Sequence, residues 1–336
     1  MQIGRRAALA LPASAVLAGR PRRAGAGETV RLGLLHTLSP APFYLAQEHG
    51  LWTGEGIGVE FRFFEAALPI AAAAVAGDID VGVTALTGGF FSLAGKGALQ
   101  VIGGGLHEQK GVELTAFLVS RQAHAAGLTD ISKMPGHSFG LTQYGSSFHY
   151  MMGWLAQARG FDIRSVTLRP LQTTGNMAAA VRSGQVDASM AIASVARPLI
   201  ASGEVKRLGW VGDEVPYQIT ALFTTRAMIA GRADALRRFC RGYQAGVAEY
   251  REAFFHPGSV GGRATESAIA AIEKYVFTSD PDAAAKIREG VGWYDEGAAL
   301  DTADVRAQLA WFTAQNMVKG PIDAAAIIDT AFLPTR

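Results

Sequence analysis

Cysteine is almost absent. Cys240 stands alone in 336 residues, so no disulfide can form within the chain, and an oxidising compartment is permitted without being demanded. It falls in the amphipathic pattern of Leu236, Phe239, Tyr243, Val247 and Tyr250, the setting of a buried core thiol rather than a nucleophile. Charge is sparse as well. Charged residues make up 18% of the chain against 49% apolar, which excludes a disordered polymer. The 40 glycines follow no Gly-X-Y period, which excludes collagen.

Acids are missing altogether from the first 26 residues, which carry Arg5, Arg6, Arg20, Arg22 and Arg23. Arg5-Arg6 leads into an apolar run from Ala7 to Gly19, and small residues Ala24-Gly25-Ala26 precede Gly27. This is the layout of an export signal cleaved near Ala26. The run is too short to span roughly 30 Å of hydrocarbon and is broken by Pro12. The paired arginines resemble a twin-arginine signal, although the usual Phe is lacking; an uncleaved tail is the alternative. The formal charge of +2 rests on this segment, for without it 26 basic residues face 29 acids. A mildly acidic mature chain gives no case for nucleic acid. No later run is long and apolar enough to cross a membrane.

Catalytic and metal signatures are equally scarce. No two of the seven histidines stand at the i, i+4 spacing of a helical zinc site. The stretch from Gly89 to Gly97 departs from a phosphate loop twice. It has one residue too many between its glycines, and glycine replaces the magnesium-binding hydroxyl. Gly103-Gly104-Gly105 completes no dinucleotide fingerprint, and no Gly-x-Ser-x-Gly elbow exists. Arg237, Arg238 and Arg241 read as a solvated helix face, with a permease contact as the alternative. No catalytic residue, metal or cofactor is expected.

What is present is an alternation of short β-rich runs with helical patterns, which predicts an α/β fold with largely parallel sheets. Strands are expected at Val30–Leu35, Val59–Phe64, Asp80–Thr84, Gln100–Gly103 and Ala116–Ser120. A second set follows at Ser138–Thr142, Val166–Arg169, Ala188–Ile192, Arg207–Trp210 and Tyr217–Thr224. Helices are expected at Phe43–His49, Pro69–Ala76, Ser147–Arg159, Asn176–Ser183 and Val195–Ser202, with a mostly helical pattern after Ala227. The two sets echo each other. Leu45-Ala46-Gln47-Glu48-His49-Gly50-Leu51 matches Leu155-Ala156-Gln157-Ala158-Arg159-Gly160-Phe161, each a helix end with a turning glycine. Ala76-Gly77-Asp78-Ile79-Asp80-Val81 likewise matches Ser183-Gly184-Gln185-Val186-Asp187-Ala188. Equivalent corners at similar spacing predict two lobes of one build.

Ligands of open α/β sheets bind outside the carboxyl ends of the strands. In the first lobe those ends are His36–Ser39, Glu65–Ala67 and Thr84–Thr87. In the second they are Gln143–Ser147, Gln172–Asn176 and Ala193-Ser194. Their Ser, Thr, Asn and Gly residues are common helix caps taken singly, but together they suit a polar or anionic small molecule. Phe43, Tyr44, Phe90, Tyr144 and Phe148 stand beside them as apolar contacts or as core. Glu65 is either a ligand contact or an acid placed at a helix N-terminus. No arginine lies in these loops, so a bidentate clamp on a carboxylate is not expected.

The stretch Pro42-Phe43-Tyr44-Leu45-Ala46-Gln47-Glu48-His49-Gly50-Leu51-Trp52, with Gly56-Ile57-Gly58-Val59-Glu60, resembles the opening of solute-binding proteins for nitrate, sulfonates, taurine and pyrimidine thiamine precursors. Residues 76–83, Gly145-Ser146-Ser147-Phe148-His149-Tyr150 and residues 181–188 continue the resemblance, which runs from about Val30 to Tyr250. It implies a two-lobed type II periplasmic-binding fold, each lobe a mostly parallel sheet flanked by helices, joined by two crossings near Arg121 and Tyr217. Residues 27–120 and 218–336 would form the first lobe and residues 121–217 the second. His36, Thr37, Ser39 and Thr84 would face the cleft from lobe one, with Glu65 at its edge. Tyr144, Ser146, Ser147, Thr174, Asn176 and Ser194 would face it from lobe two. The implied function is non-catalytic. A monomer in the periplasm would capture a sulfonate, taurine-like compound or aromatic acid for an ABC permease in the inner membrane. The alternatives are a same-fold enzyme or binder of pyrimidine or thiamine-precursor metabolism, and a ligand sensor. The family's iron-dependent thiamine-precursor synthase carries a cysteine-rich motif that one cysteine cannot reproduce.

N-terminal sequencing of the exported protein is expected to begin near Gly27. An intact Met1 would overturn the account of the charge.

Overall fold

The protein is described by a computed structural model covering residues 28–258 and 261–336; the expected export segment Met1–Ala26 lies outside them. The strands are β1 (Thr29–Leu35), β2 (Gly58–Phe64), β3 (Val81–Ala85), β4 (Leu99–Gly104), β5 (Leu106–Glu108), β6 (Thr115–Ser120) and β7 (Ser138–Leu141). Then come β8 (Thr167–Pro170), β9 (Ala188–Ile192), β10 (Val205–Trp210), β11 (Tyr217–Gln218), β12 (Thr220–Thr225) and β13 (Trp293–Tyr294).

They form two five-stranded sheets of one design, in the orders β2-β1-β3-β12-β4 and β8-β7-β9-β6-β10. In the first sheet β1, β2, β3 and β4 run one way and β12 runs against them. In the second, β7, β8, β9 and β10 run together and β6 runs against them. The expected largely parallel, two-lobed α/β architecture is therefore present. Helices cover the sheets because the central strands are apolar on both faces, as in β6, where the consecutive Ala116, Phe117, Leu118 and Val119 are all buried.

The sequence echo has a structural counterpart. Helices Ala67–Ala76 and Thr174–Ser183 end at Gly77 and Gly184, with φ of 80° and 76°, a backbone region costly for any residue with a Cβ. Three residues on, Asp80 accepts the Arg31 N–H at 2.8 Å and Asp187 accepts the Ser138 N–H at 2.8 Å. Each carboxylate thus holds the first residues of the neighbouring parallel strand, β1 or β7. Burial works against the Asp80 charge, but the Arg31 hydrogen bonds outweigh it, and its carboxyl lies below the usual range.

The sheets are joined through a small third sheet, β11-β5-β13. The chain leaves the first sheet after β4, passes through β5 and enters the second as β6. It leaves after β10, returns through β11 and re-enters the first as β12. Two readings change here. The expected crossing near Arg121 left Ala116–Ser120 in the first lobe, but β6 pairs with β9 and β10 in the second sheet. The crossing is therefore β5 and the loop after it. The expected strand Tyr217–Thr224 is two strands, because the chain changes sheets around Ile219.

The remaining chain wraps the first lobe. Helix Ala233–Phe255 packs on helix Ala41–Glu48, with the Tyr243 ring stacked 4.1 Å from that of Phe43. Cys240 is buried on it, which pushes its thiol up to about 12. The basic cluster on the same helix is tied within the chain. Arg238 pairs with Glu28 and Asp234, Arg241 with Glu55, and Arg237 lies over the Phe332 ring.

Asp80→Ala strands the Arg31 guanidinium and frees the β1 N–H. It is expected to lower unfolding free energy by about 2–3 kcal/mol in urea titration. Asp187→Ala, at a more exposed carboxylate, is expected to cost about 1 kcal/mol. Equal, negligible losses would mean that neither tie holds its strand.

Candidate functional site

The carboxyl ends of the parallel strands in both sheets face the same region, between the lobes. There the loop after β1 is held from beneath. The Tyr44 hydroxyl donates to the Thr37 carbonyl at 2.9 Å and the Tyr294 hydroxyl donates to that of Ser39 at 2.5 Å. The opposite loop after β7 is held by His149, whose Nδ1 accepts the Gly145 N–H at 3.1 Å. Burial keeps that imidazole neutral, pushing its pKa down to about 4. The lobes meet where the Gly88 N–H donates to the Gly145 carbonyl at 3.1 Å. They meet again at Gly290, which ends helix Ala283–Gly290. A Cβ there would lie 2.8 Å from Leu38 Cδ2 and 2.9 Å from Ser194 Cβ, so only glycine allows this closeness.

Apart from Ser39, whose carbonyl is bound by Tyr294, the expected site residues divide into three groups. Thr37, Thr84 and Ser194 carry hydroxyls that are buried without a hydrogen-bonding partner. Thr84 and Ser194 are 1% and 5% exposed. Buried polar groups are almost always paired, and these three at the facing strand ends are not.

Other residues already serve the protein. The Ser146 hydroxyl caps helix Ser147–Ala158 by accepting the His149 N–H. Ser147 faces the buried Tyr217 hydroxyl. The Asn176 side chain donates to the Leu171 carbonyl at 2.8 Å, while Thr173 caps that helix in place of Thr174. His36 Nε2 lies 2.5 Å from the Tyr275 carbonyl, and the His36 ring lies 4.6 Å from that of Phe63.

The third group is open. Glu65, Thr174 and Tyr144 are exposed. Glu65 precedes helix Ala67–Ala76 without capping it, and the Tyr144 hydroxyl reaches the Leu168 carbonyl at 3.4 Å. Of the aromatic candidates, Phe43, Tyr44 and Phe90 are core. Phe148 is partly buried and Tyr144 is exposed.

Sequence reading did not single out the exposed apolar residues Phe63, Leu68 and Val195. It also missed the lobe contacts of Gly88, Gly145 and Gly290. A shallow basic depression of about 560 Å³, lined by Arg121, His124, Arg182 and Lys206 among others, lies at the far pole of the second lobe, away from the cleft.

The hinge sheet holds a second missed feature. Glu108, fully buried on β5, pairs in register with Tyr217 on β11. Burial pushes its carboxyl up to about 8, partly offset by Thr115 and the Gly212 N–H. Beside it on β5, burial and the Arg336 charge hold His107 below its usual range. Among the described residues no three His, Cys, Asp or Glu side chains gather to hold a metal, and no helix is long and apolar enough to cross a membrane.

Two similar sheets, two crossings and a shared cleft define the two-lobed periplasmic-binding fold. The NMT1/THI5-like profile matches residues 38–257, and the chain belongs to that family. Among solved structures it is similar to the periplasmic aliphatic sulphonate binding protein SsuA from Escherichia coli, at 18% identity and TM-score 0.71. That match covers 90% of this chain and 92% of the other. It is also similar to the alkanesulfonate-binding protein SsuA from Xanthomonas axonopodis pv. citri bound to MOPS, at 17% identity and TM-score 0.69, covering 90% and 98%. The desulfurization enzyme DSZB shares the fold at 13% identity and TM-score 0.62, covering 91% and 97%. No curated protein matches the chain in sequence.

A carboxyl raised by folding stabilises the protein fully below its unfolded pKa near 4.5, and that contribution is lost as pH rises towards and through 8. His149 acts oppositely, since its depressed pKa costs stability as pH falls from about 6.5 towards 4. Glu108→Gln is therefore expected to gain several degrees in Tm relative to wild type between pH 5 and 8. A difference independent of pH would show that Glu108 is ionised when folded.

Proposed function

We propose that the chain is an exported solute-binding protein. It captures a small polar or anionic organic molecule (a sulfonate, a taurine-like compound or an aromatic acid) between its lobes and delivers it to an ABC importer. The observation that carries this reading is the set of orphan hydroxyls, Thr37 and Thr84 from one lobe and Ser194 from the other. A ligand that pairs with groups from both lobes binds the closed arrangement better than the open one, and closure follows from that difference. Micromolar affinity needs about −8.2 kcal/mol, more than three neutral hydrogen bonds of about 1 kcal/mol supply. Apolar contact at the rim must provide much of the rest.

The second reading is a same-fold enzyme, favoured by the structural likeness to DSZB. Against it stands the state of the single cysteine, whose thiol is buried and pushed up to about 12, so thiolate chemistry at neutral pH has no group to use. Transport rather than sensing is supported by the kinship in fold with periplasmic binding proteins.

A thermal-shift screen of the mature chain tests this against sulfonates, taurine, aromatic carboxylates, nitrate, pyrimidines and flavins. A ligand at 100 times its Kd adds about 2.7 kcal/mol, several degrees in Tm. Thr84→Val, which removes the orphan hydroxyl while keeping shape, is expected to weaken the best ligand about tenfold with little change in unligated Tm. Catalytic consumption of the ligand would refute the binding role, and unchanged affinity in Thr84→Val would show that the pocket lies elsewhere.

A further inference from the structure

We propose that the outer edge of β2 pairs with the same edge of a second copy of this chain. The product is an antiparallel, two-fold dimer in equilibrium with the monomer. This goes beyond the solute-binding reading and does not depend on it.

An outer strand invites pairing with another chain unless something blunts it. The two five-stranded sheets have four such strands, β2, β4, β8 and β10. Three of them are blunted. The later chain takes the outer side of β4, where Val101 bridges Ile328 and the Val101 carbonyl accepts the Asp329 N–H at 2.8 Å. β8 is four residues long and ends in Pro170. β10 carries Lys206 and a register shift between Arg207 and Gly209, and lysine and bulges both discourage pairing.

β2 has none of these devices. Its seven residues contain no proline and no lysine, and they pair with β1 without a register shift. Among the described residues no strand or bridge lies on its other side. No residue of β2 is fully buried, and residues 61–64 border an open depression of about 610 Å³.

The order of the side chains names the occupant. Antiparallel pairing of β2 with its own copy, centred on Phe61, sets Glu60 opposite the partner's Arg62 and Arg62 opposite the partner's Glu60. Val59 then faces the partner's Phe63. Directly opposite residues have Cβ atoms about 5 Å apart, where unlike charges stabilise the pair and like charges destabilise it. Moving the centre to residue 60 sets Glu60 against its own copy, and moving it to residue 62 does the same to Arg62. The charges therefore select one register. Glu60 and Arg62 are half exposed and already paired within the chain at 2.9 Å, so the dimer joins two pairs into a group of four. The contact is isologous and closes on itself. Opposed strand directions put the two clefts at opposite ends of the joined sheet. A single strand edge is a small contact, which makes the dimer reversible.

Sedimentation equilibrium of the mature protein tests this. A monomer–dimer equilibrium at micromolar protein is expected, weakened by salt. Glu60→Arg sets arginine against arginine and Arg62→Glu sets glutamate against glutamate. Each is expected to weaken the dimer at least tenfold, or about 1.4 kcal/mol. An equimolar mixture of the two variants is expected to dimerise like wild type, since each mixed pair sets arginine against glutamate. The pair within each chain stays broken in that mixture, so loss of local structure predicts no rescue. The double variant Glu60→Arg with Arg62→Glu keeps both kinds of pair and is expected to dimerise even where a single variant folds poorly. A wild type that stays monomeric, a dimer indifferent to both single charge reversals, or a mixture and double variant that both stay monomeric would overturn the inference. The solute-binding reading would stand in each case.

Discussion

Everything about the cleft depends on one buried side chain at the hinge. Gln218 on β11 has its backbone N–H bound by Asp304 at 2.9 Å and its carbonyl by Gln308 at 2.8 Å. Its amide nitrogen donates to the carbonyls of Gly105 and Thr220, and its amide oxygen accepts from the Asp301 N–H. Gly105 lies before the first crossing and Thr220 after the second. One residue therefore fastens both crossings to the first lobe, with every polar group satisfied, as a network in low dielectric requires. Beyond this anchor the pairing between the two crossings is short and consists of His107 with Gln218 and Glu108 with Tyr217.

That anchor explains why each sheet has a single reversed strand. β6 and β12 are the strands by which the chain enters a lobe from the hinge, and each runs against four parallel neighbours. The parallel strands then point their carboxyl ends at the other lobe. Asp80 and Asp187 hold the opposite ends of β1 and β7. Rigid strand starts and short, braced strand ends leave the hydroxyls after β1, in β3 and after β9 in fixed positions.

The hinge also carries the unusual titrations. Glu108 and His107 are adjacent on β5 and shifted in opposite senses, so each favours its neutral form. Two neutral groups in a buried joint avoid the desolvation that a charged pair would cost. The Arg336 guanidinium closes the network against Asp295 and Asp301, so the last residue of the chain braces the joint that the middle of the chain forms.

The period of apolar residues, helix-ending glycines and the echo of two motifs were local properties, and they were enough for the strands, the main helices and the two-lobed plan. Ser146 and Asn176 were legible as polar residues at strand ends that serve either as helix caps or as ligand contacts, but sequence could not choose between the two, because both use the same chemistry. Thr37, Thr84 and Ser194 looked no different from them in sequence. Only folding left their hydroxyls buried and unpartnered, since that depends on what every neighbouring element does with its own donors. The hinge was the least legible part. Its strands are two or three residues long, too short for any period, and its third strand, Trp293–Tyr294, comes from far along the chain. The sequence by itself determined the two similar, largely parallel sheets, which rest on repeating local patterns. Tertiary structure alone decided the hinge and the chemistry of the cleft, which arise where residues distant in sequence compete for the same hydrogen bonds.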